Sequence, residues 1–364
     1  MKKIAFLKKL DSIVGAVIAR LLPQAKFASI DAVVVERVLF IRPGGIGDAV
    51  LLISAIQALK KTYPYCQIDI LAEKRNSQVF SLYREIRRVY RYDNLAEFLS
   101  VFKTQYDVVI DTEQWHRLSA IFARLIRSQR KIGFATNERT KMFTTAVLYS
   151  HNNYETESFF NLLQSLEIVP PPSLTTPFLD IPASVRSSSE LLGSDIGKYV
   201  VLFPGASIPE RRWSADRFSA LAGKLAEQQL GVVIVGGGED YDSGETIAES
   251  VKNAVNLAGE TSLLETASIL KDAALLISGD SGVLHIGVGL GIPTVSLFGP
   301  GIATKWAPQG MSHRVINLDL PCSPCTQFGT TPPCPIGAKC LHDISVSMVF
   351  SAAQDLLELN NKKS

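Results

Sequence analysis

Apolar residues along the chain alternate between two rhythms. Short unbroken runs, such as Arg37-Val-Leu-Phe-Ile41, Ile68-Asp-Ile-Leu71 and Asp107-Val-Val-Ile110, have the length and β-branched content of buried strands. Between them apolar residues recur at helical spacing, as from about Ala49 to Thr62. A second series repeats the alternation. It predicts strands at Tyr199–Phe203, Val232–Val235, near Leu275–Ile277 and at Thr294–Leu297, with helices from about Ala215 to Gln229 and up to Leu290. Alternating β and α elements imply parallel sheets covered on both faces. The fold expected is α/β, with two Rossmann-like doubly wound domains facing a central cleft and ligands beyond the carboxyl ends of the strands. Pro170-Pro171-Pro172-Ser173 and the Ser-rich run near Ser187 interrupt the pattern, which gives domains at 31–185 and 186–364.

The first thirty residues follow a different pattern. Ile4, Leu7, Leu10, Ile13, Val14, Val17, Ile18, Leu21 and Leu22 fall at helical spacing before Pro23. Lys8, Lys9 and Asp11 interrupt the unbroken apolar run that a secretory signal needs, and no stretch of the chain has the 18 or more consecutive apolar residues of a spanning helix. Residues 1–30 carry Lys2, Lys3, Lys8, Lys9, Arg20 and Lys26 against Asp11 alone, a net charge of +5 within a chain of +2. The remaining chain is therefore at −3, which excludes a broad nucleic-acid-binding surface. The pattern fits a basic amphipathic helix over 1–30 lying on an anionic membrane surface; the ordinary alternative is a helix packed on its own domain. With 364 residues, 46% hydrophobic and 20% charged, the rest reads as packed globular protein.

Three turns carry chemistry. The first is Arg42-Pro43-Gly44-Gly45-Ile46-Gly47-Asp48, directly after a strand and opening a helix. Gly45 and Gly47 allow close backbone approach, and a helix N-terminus favours phosphate. Asp48 falls in the first helical turn, where an Asp is often only a cap. The spacing does not match the dinucleotide-binding fingerprint, which weakens a dehydrogenase reading. The second turn is Pro204-Gly205-Ala206-Ser207 followed by Arg211-Arg212-Trp213, small residues and guanidinium groups that suit a pyrophosphate. In the third, Gly279-Asp280-Ser281-Gly282-Val283-Leu284-His285, Ser281 and the Gly282 N–H can hold phosphate while Asp280 orients the loop. His285 lies four residues after Ser281, on the same helix face.

Together these turns resemble glycosyltransferase family 9, the heptosyltransferases that add heptose from ADP-heptose to the lipopolysaccharide core. The resemblance runs from about Arg37 to the C-terminus. It is most specific at Gly45-Ile46-Gly47-Asp48, Arg212-Trp213, Asp280-Ser281-Gly282 with His285, and Leu297-Phe298-Gly299-Pro300 followed by Trp306. It implies a GT-B fold, inverting transfer from a nucleotide diphosphate donor, and no cofactor required for catalysis. Asp48 matches the family's proposed general base. Ser207, Ser281, Gly282 and His285 would line the diphosphate with Arg211, which stands where relatives usually carry a Lys. Glu265 is the nearest candidate for a ribose-binding carboxylate, at a poor spacing. Lys131-Ile132-Gly133-Phe134 and Arg139 are candidate contacts for an anionic acceptor. The resemblance also implies a cytoplasmic enzyme, peripheral on the inner face of the membrane and working on a glycolipid acceptor.

Four of the five cysteines, Cys322, Cys325, Cys334 and Cys340, crowd into a loop at 322–340. Four thiolates can close a structural zinc or iron site; otherwise they are reduced thiols packing a loop. Two other functions suit a two-domain α/β chain, a nucleotide-sugar epimerase and a non-catalytic membrane-associated binding protein. The Gly-x-Gly-Asp turn favours transfer over epimerisation, and Asp48 argues against lost catalysis.

Overall fold

The computed structural model describes residues 11–25, 35–171, 174–193, 196–327 and 330–361. The chain divides into two compact units, Met1–Thr175 and Thr176–Ser364. Residues just after the division belong to the second unit because the N–H groups of Phe178 and Leu179 donate to the Gly289 carbonyl, at 2.8 and 3.1 Å.

In the first unit β1 (Arg37–Arg42), β2 (Gln67–Ala72), β3 (Ile86–Arg91), β4 (Tyr106–Asp111), β5 (Ser128–Phe134) and β6 (Thr145–Val147) form one parallel sheet in the order β3-β2-β1-β4-β5-β6. Val38 to Ile41 are fully buried because a parallel sheet is covered on both faces, which is why β1 reads as a continuous apolar run. The helix Ile46–Thr62 buries every residue from Ala49 to Ile56 and packs against the helix Glu155–Leu163. It begins three residues earlier than its apolar rhythm suggests, since Ile46-Gly47-Asp48 already forms its first turn.

The second unit repeats the plan with β7 (Tyr199–Phe203), β8 (Gly231–Ile234), β9 (Val255–Asn256), β10 (Leu275–Gly279), β11 (Thr294–Phe298) and β12 (His313–Asn317) in the order β12-β11-β10-β7-β8-β9. Both sheets reverse their winding direction at one place, between β1 and β4 and between β7 and β10. There the loops leaving adjacent strands diverge to opposite faces and open a crevice at the carboxyl edge. Two parallel doubly wound sheets are the architecture expected from the alternating pattern.

Of the expected helix at 1–30, Lys2, Lys3, Lys8, Lys9 and Lys26 lie outside the described residues. Asp11–Gly15 forms a turn of π-helix that continues as α-helix through Leu21. One side docks on the first unit. Asp11 is buried, and its Oδ1 accepts from the Leu118 N–H at 2.7 Å, capping the helix Arg117–Leu125. Burial pushes the Asp11 carboxyl up, but bonds from His116, Leu118 and Arg117 outweigh it and hold it below the usual carboxylate range. Gly15, Ala16 and Ala19 face the same way, and a Cβ on Gly15 would lie 3.2 Å from the Arg117 Cβ. The other side faces outward with Ile13 at 56%, Val17 at 51% and Leu21 at 80% exposure, beside Val14 and Ile18. The segment is thus packed on its own domain, the ordinary alternative, and presents an apolar row outward.

Candidate functional site

In the first unit the chemistry gathers at the switch between β1 and β4. Arg42, the last residue of β1, is 2% exposed. Its Nε donates to the Pro43 carbonyl at 2.6 Å and its Nη1 to the Thr112 carbonyl at 2.8 Å, so one guanidinium ties together the exits of both strands. Nη2 lies 3.4 Å from Asp48 Oδ2 and 3.7 Å from Glu113 Oε2. Burial alone would lower the Arg42 pKa, but Asp48, Glu113, Glu155 and Asp111 overcome it and raise it. Gly44 has a φ of +104°, a conformation suited to glycine, and a Cβ there would meet Arg42 Nη2 at 3.0 Å. The Gly44 N–H donates to Glu73 Oε1 at 3.3 Å, which fixes the turn from the neighbouring strand β2.

Asp48 is not the helix cap. Gly45 occupies that position, without a side-chain cap bond, and Asp48 stands in the first turn with its side chain 22% exposed. Around it are groups the motifs did not reveal. Glu113 Oε1 accepts from the N–H groups of Trp115 and His116, at 3.0 and 3.3 Å. Burial pushes its carboxyl up, yet Arg42, His116 and Arg139 hold it below the ordinary value. Tyr149 donates to Glu155 Oε2 at 3.1 Å, and its hydroxyl pKa is raised by burial and by the charges of Glu155 and Asp48. Glu113 had one readable signal: it follows the strand Asp107–Ile110, at the carboxyl edge where ligands of such sheets bind.

The second unit places its candidates at the switch between β7 and β10. Ser281 caps the helix Gly282–Gly289: its Oγ accepts from the Leu284 N–H at 3.2 Å and lies 2.8 Å from Ser278 Oγ. Arg211 Nη1 is 3.0 Å from Asp280 Oδ2, and Nη2 donates to Thr326 Oγ1 at 3.3 Å. Gly279 allows this approach, since a Cβ there would lie 3.2 Å from the Arg211 carbonyl oxygen. Ser207 is exposed in the loop after β7, whereas His285 is buried one turn below Ser281. Arg212 and Trp213 have structural partners. Arg212 donates to the Ala206 carbonyl and pairs with Asp240 at 3.2 Å; Trp213 is buried and donates to the Ile344 carbonyl at 3.0 Å.

Three expectations change. Glu265 is the third residue of a capping box with Ser262 and pairs with Arg186, so its carboxylate is already engaged at a helix start. Lys131 and Arg139 are buried rather than presented to an acceptor. Lys131 Nζ donates to the Ser128 carbonyl, and Arg139 pairs with Asp111 at 2.9 Å, both side chains at 0% exposure. The thiols of Cys322, Cys325, Cys334 and Cys340 are free, and among the described residues no three or more His, Cys, Asp or Glu side chains are placed to hold a metal ion. Cys340 instead packs under the Gly299 turn, and Cys334 Sγ accepts from the Ala338 N–H at 3.2 Å. The four thiols still lie near one another: burial first, and then the neighbouring thiols, push Cys325 and Cys340 up.

Known proteins share this fold. The lipopolysaccharide heptosyltransferase 3 of Escherichia coli is 28% identical over 285 residues, 72% of this chain and 83% of that protein. The structure of E. coli ADP-heptose lps heptosyltransferase II superimposes with a TM-score of 0.73 at 21% identity, covering 89% of this chain and 99% of the other. That of E. coli heptosyltransferase WaaC with ADP gives 0.71 at 18% identity, covering 88% and 99%. Both structural likenesses concern the fold, two doubly wound α/β units of GT-B type. The family model for glycosyltransferase family 9 (heptosyltransferase) matches residues 98–334, which takes in the carboxyl edges of β4, β7 and β10. The chain belongs to glycosyltransferase family 9, the heptosyltransferases.

Proposed function

We propose that this glycosyltransferase moves heptose from ADP-heptose to a lipopolysaccharide core or related surface glycan, inverting the anomeric centre, with Asp48 as general base. The observation that carries this reading is the division of charge between the two switch points. The first offers a partly exposed carboxylate on a buried guanidinium; the second offers Arg211 beside the N-terminus of the helix Gly282–Gly289. The acceptor hydroxyl oxygen forms a bond to the anomeric carbon while its proton passes to the Asp48 carboxylate. The bond from that carbon to the diphosphate oxygen breaks, and ADP departs with the electron pair. Arg211, the hydroxyls of Ser207 and Ser281, and the N–H groups opening at Gly282 stabilise the charge on the leaving diphosphate. Gly45 and Gly47 allow close backbone approach to the donor at the loop of the first unit, and Asp280 and His285 set the loop of the second unit from beside and below. With that charge supplied by side chains and a helix end, no step requires a metal. The donor is assigned from the relatives, one of them named for ADP-heptose and another solved with ADP.

Transfer is tested with the full chain, ADP-heptose and a truncated lipopolysaccharide core, against UDP- and GDP-sugars. The expected outcome is heptose-extended glycolipid and free ADP, with an anomeric configuration opposite to the donor's by NMR and much slower turnover from the other donors. Nucleotide binding without transfer from any donor would move the chain to the binding-protein reading.

We place the reaction at the cytoplasmic face of the membrane, on the exposed row Ile13, Val14, Val17, Ile18 and Leu21 and the lysines preceding it in sequence. No helix among the described residues is long and apolar enough to cross a membrane. The protein is expected to sediment with anionic phospholipid vesicles and to be released by salt. The double variant Val17→Asp/Leu21→Asp should lose sedimentation while keeping turnover on a delipidated acceptor; undiminished sedimentation would remove the row from membrane contact.

A further inference from the structure

Arg42 is a buried charged side chain beside Asp48, 2% exposed, and its bonds are divided unevenly. Two edges of the guanidinium are spent on main-chain carbonyls, Pro43 after β1 and Thr112 after β4. The remaining Nη2 faces the carboxylates of Asp48 and Glu113. A lysine carries its three N–H donors on one nitrogen, without the planar fork that lets the guanidinium meet these groups from separate edges. The surroundings are strongly acidic: Asp48 comes from the helix after β1, Asp111 and Glu113 from the end of β4 and its loop, and Glu155 from the helix Glu155–Leu163. Tyr149, His116, Arg139 and Tyr92 also act on these groups, Glu73 and Arg75 lie at the Gly44 turn, and Arg139 is already paired with Asp111. Phe159 closes the pocket, its ring centre 5.9 Å from the Arg42 Cζ.

Resting on the proposal that Asp48 is the base, we infer that Arg42 is a positioning residue: it anchors the β1 and β4 exits to each other and holds the Asp48 carboxylate in place among the neighbouring acids. Its hold is a single contact at 3.4 Å, the long end of a hydrogen bond, rather than a two-pronged grip. Gly44 belongs to the same device, because any side chain there would press on the Nη2 that faces Asp48.

The test is a cycle of Arg42→Lys, Arg42→Gln, Asp48→Asn and the two doubles, with folding checked by circular dichroism. Arg42→Lys keeps the charge and is the variant that best preserves the fold. Misplacement of a reacting group by about 1 Å costs about 10²-fold. Both Arg42 substitutions should therefore lower kcat about 10- to 100-fold, with little change in KM for donor or acceptor, and should cost almost nothing further in Asp48→Asn. Guanidinium ion, far below unfolding concentrations, should restore part of the turnover of Arg42→Ala. An equal Arg42 loss in both backgrounds would overturn the positioning role and leave the base in place. Wild-type turnover in Asp48→Asn would overturn the base and this role with it. Failure of both Arg42 variants to fold would assign the side chain to stability and overturn the inference.

Discussion

Replacing Asp48 with alanine will lower turnover by at least about 10², the range contributed by a positioned general base, while donor affinity stays near that of the wild type. The split follows from where the residue stands. Asp48 is in the first unit, and Arg211, Ser281 and Gly282, which are assigned to the diphosphate, are in the second. Loss of the carboxylate should leave the fold intact. The helix Ile46–Thr62 starts at Gly45 without a side-chain cap, so no cap bond is lost. Arg42 keeps the Pro43 and Thr112 carbonyls and Glu113, so no buried cation is stranded. The attraction of an acid for the helix N-terminus contributes about 0.3–1 kcal/mol. Initial rates at saturating ADP-heptose, with donor affinity from calorimetry, measure both halves of the prediction. Unchanged turnover would remove Asp48 from the chemistry, and a large loss of donor affinity would move it to donor binding.

The second large effect is expected at Arg211. A hydrogen bond to a charged partner contributes about 1.5–3 kcal/mol, so Arg211→Gln should reduce kcat/KM for the donor about 10- to 100-fold. Its cost has two origins. The diphosphate loses a cation, and Asp280, whose side chain is 12% exposed, loses the guanidinium 3.0 Å away and then repels the same phosphates. The double variant Arg211→Gln/Asp280→Asn should therefore recover part of the loss. Arg211→Lys should stay within a small factor of wild type, because the point charge survives and only the fork geometry is lost. If Arg211→Gln leaves both KM and kcat unchanged, the donor's phosphates do not sit at this loop.

The buried halves of both sheets were legible in the sequence because their strands are covered on both sides. Val38–Ile41 and Tyr199–Leu202 admit only apolar residues, and the glycines after them announce the turns. The edges were harder to read. β5 opens with Ser128-Gln129-Arg130-Lys131, and the polar start hides a strand paired with β4. Lys131 and Arg139 resembled acceptor contacts because sequence shows charge but not burial. Arg139 is enclosed because Asp111, 28 positions earlier at the end of β4, meets its guanidinium together with the His116 and Glu113 carbonyls. The glycine turns at 44–47 and 279–282 were visible because local backbone geometry demands those residues. Glu155 was not, and Glu113 only through its place after the strand Asp107–Ile110, since topology brings them to Arg42 from segments 113 and 71 positions away.

Asp11 makes the N-terminal segment a fixture of the first unit as well as its apolar outer face. It caps the helix Arg117–Leu125, Ala19 lies within the core behind that helix, and the Ala25 N–H donates to the Lys141 carbonyl at 2.8 Å. A truncated protein beginning after this segment would be no milder version of the enzyme. It would leave a helix start uncapped and a patch of interior open, a few positions from the Glu113 loop that shares Arg42 with Asp48. Trimming the chain would thus alter the proposed membrane contact and the architecture together, and only substitutions on the outward row can tell them apart.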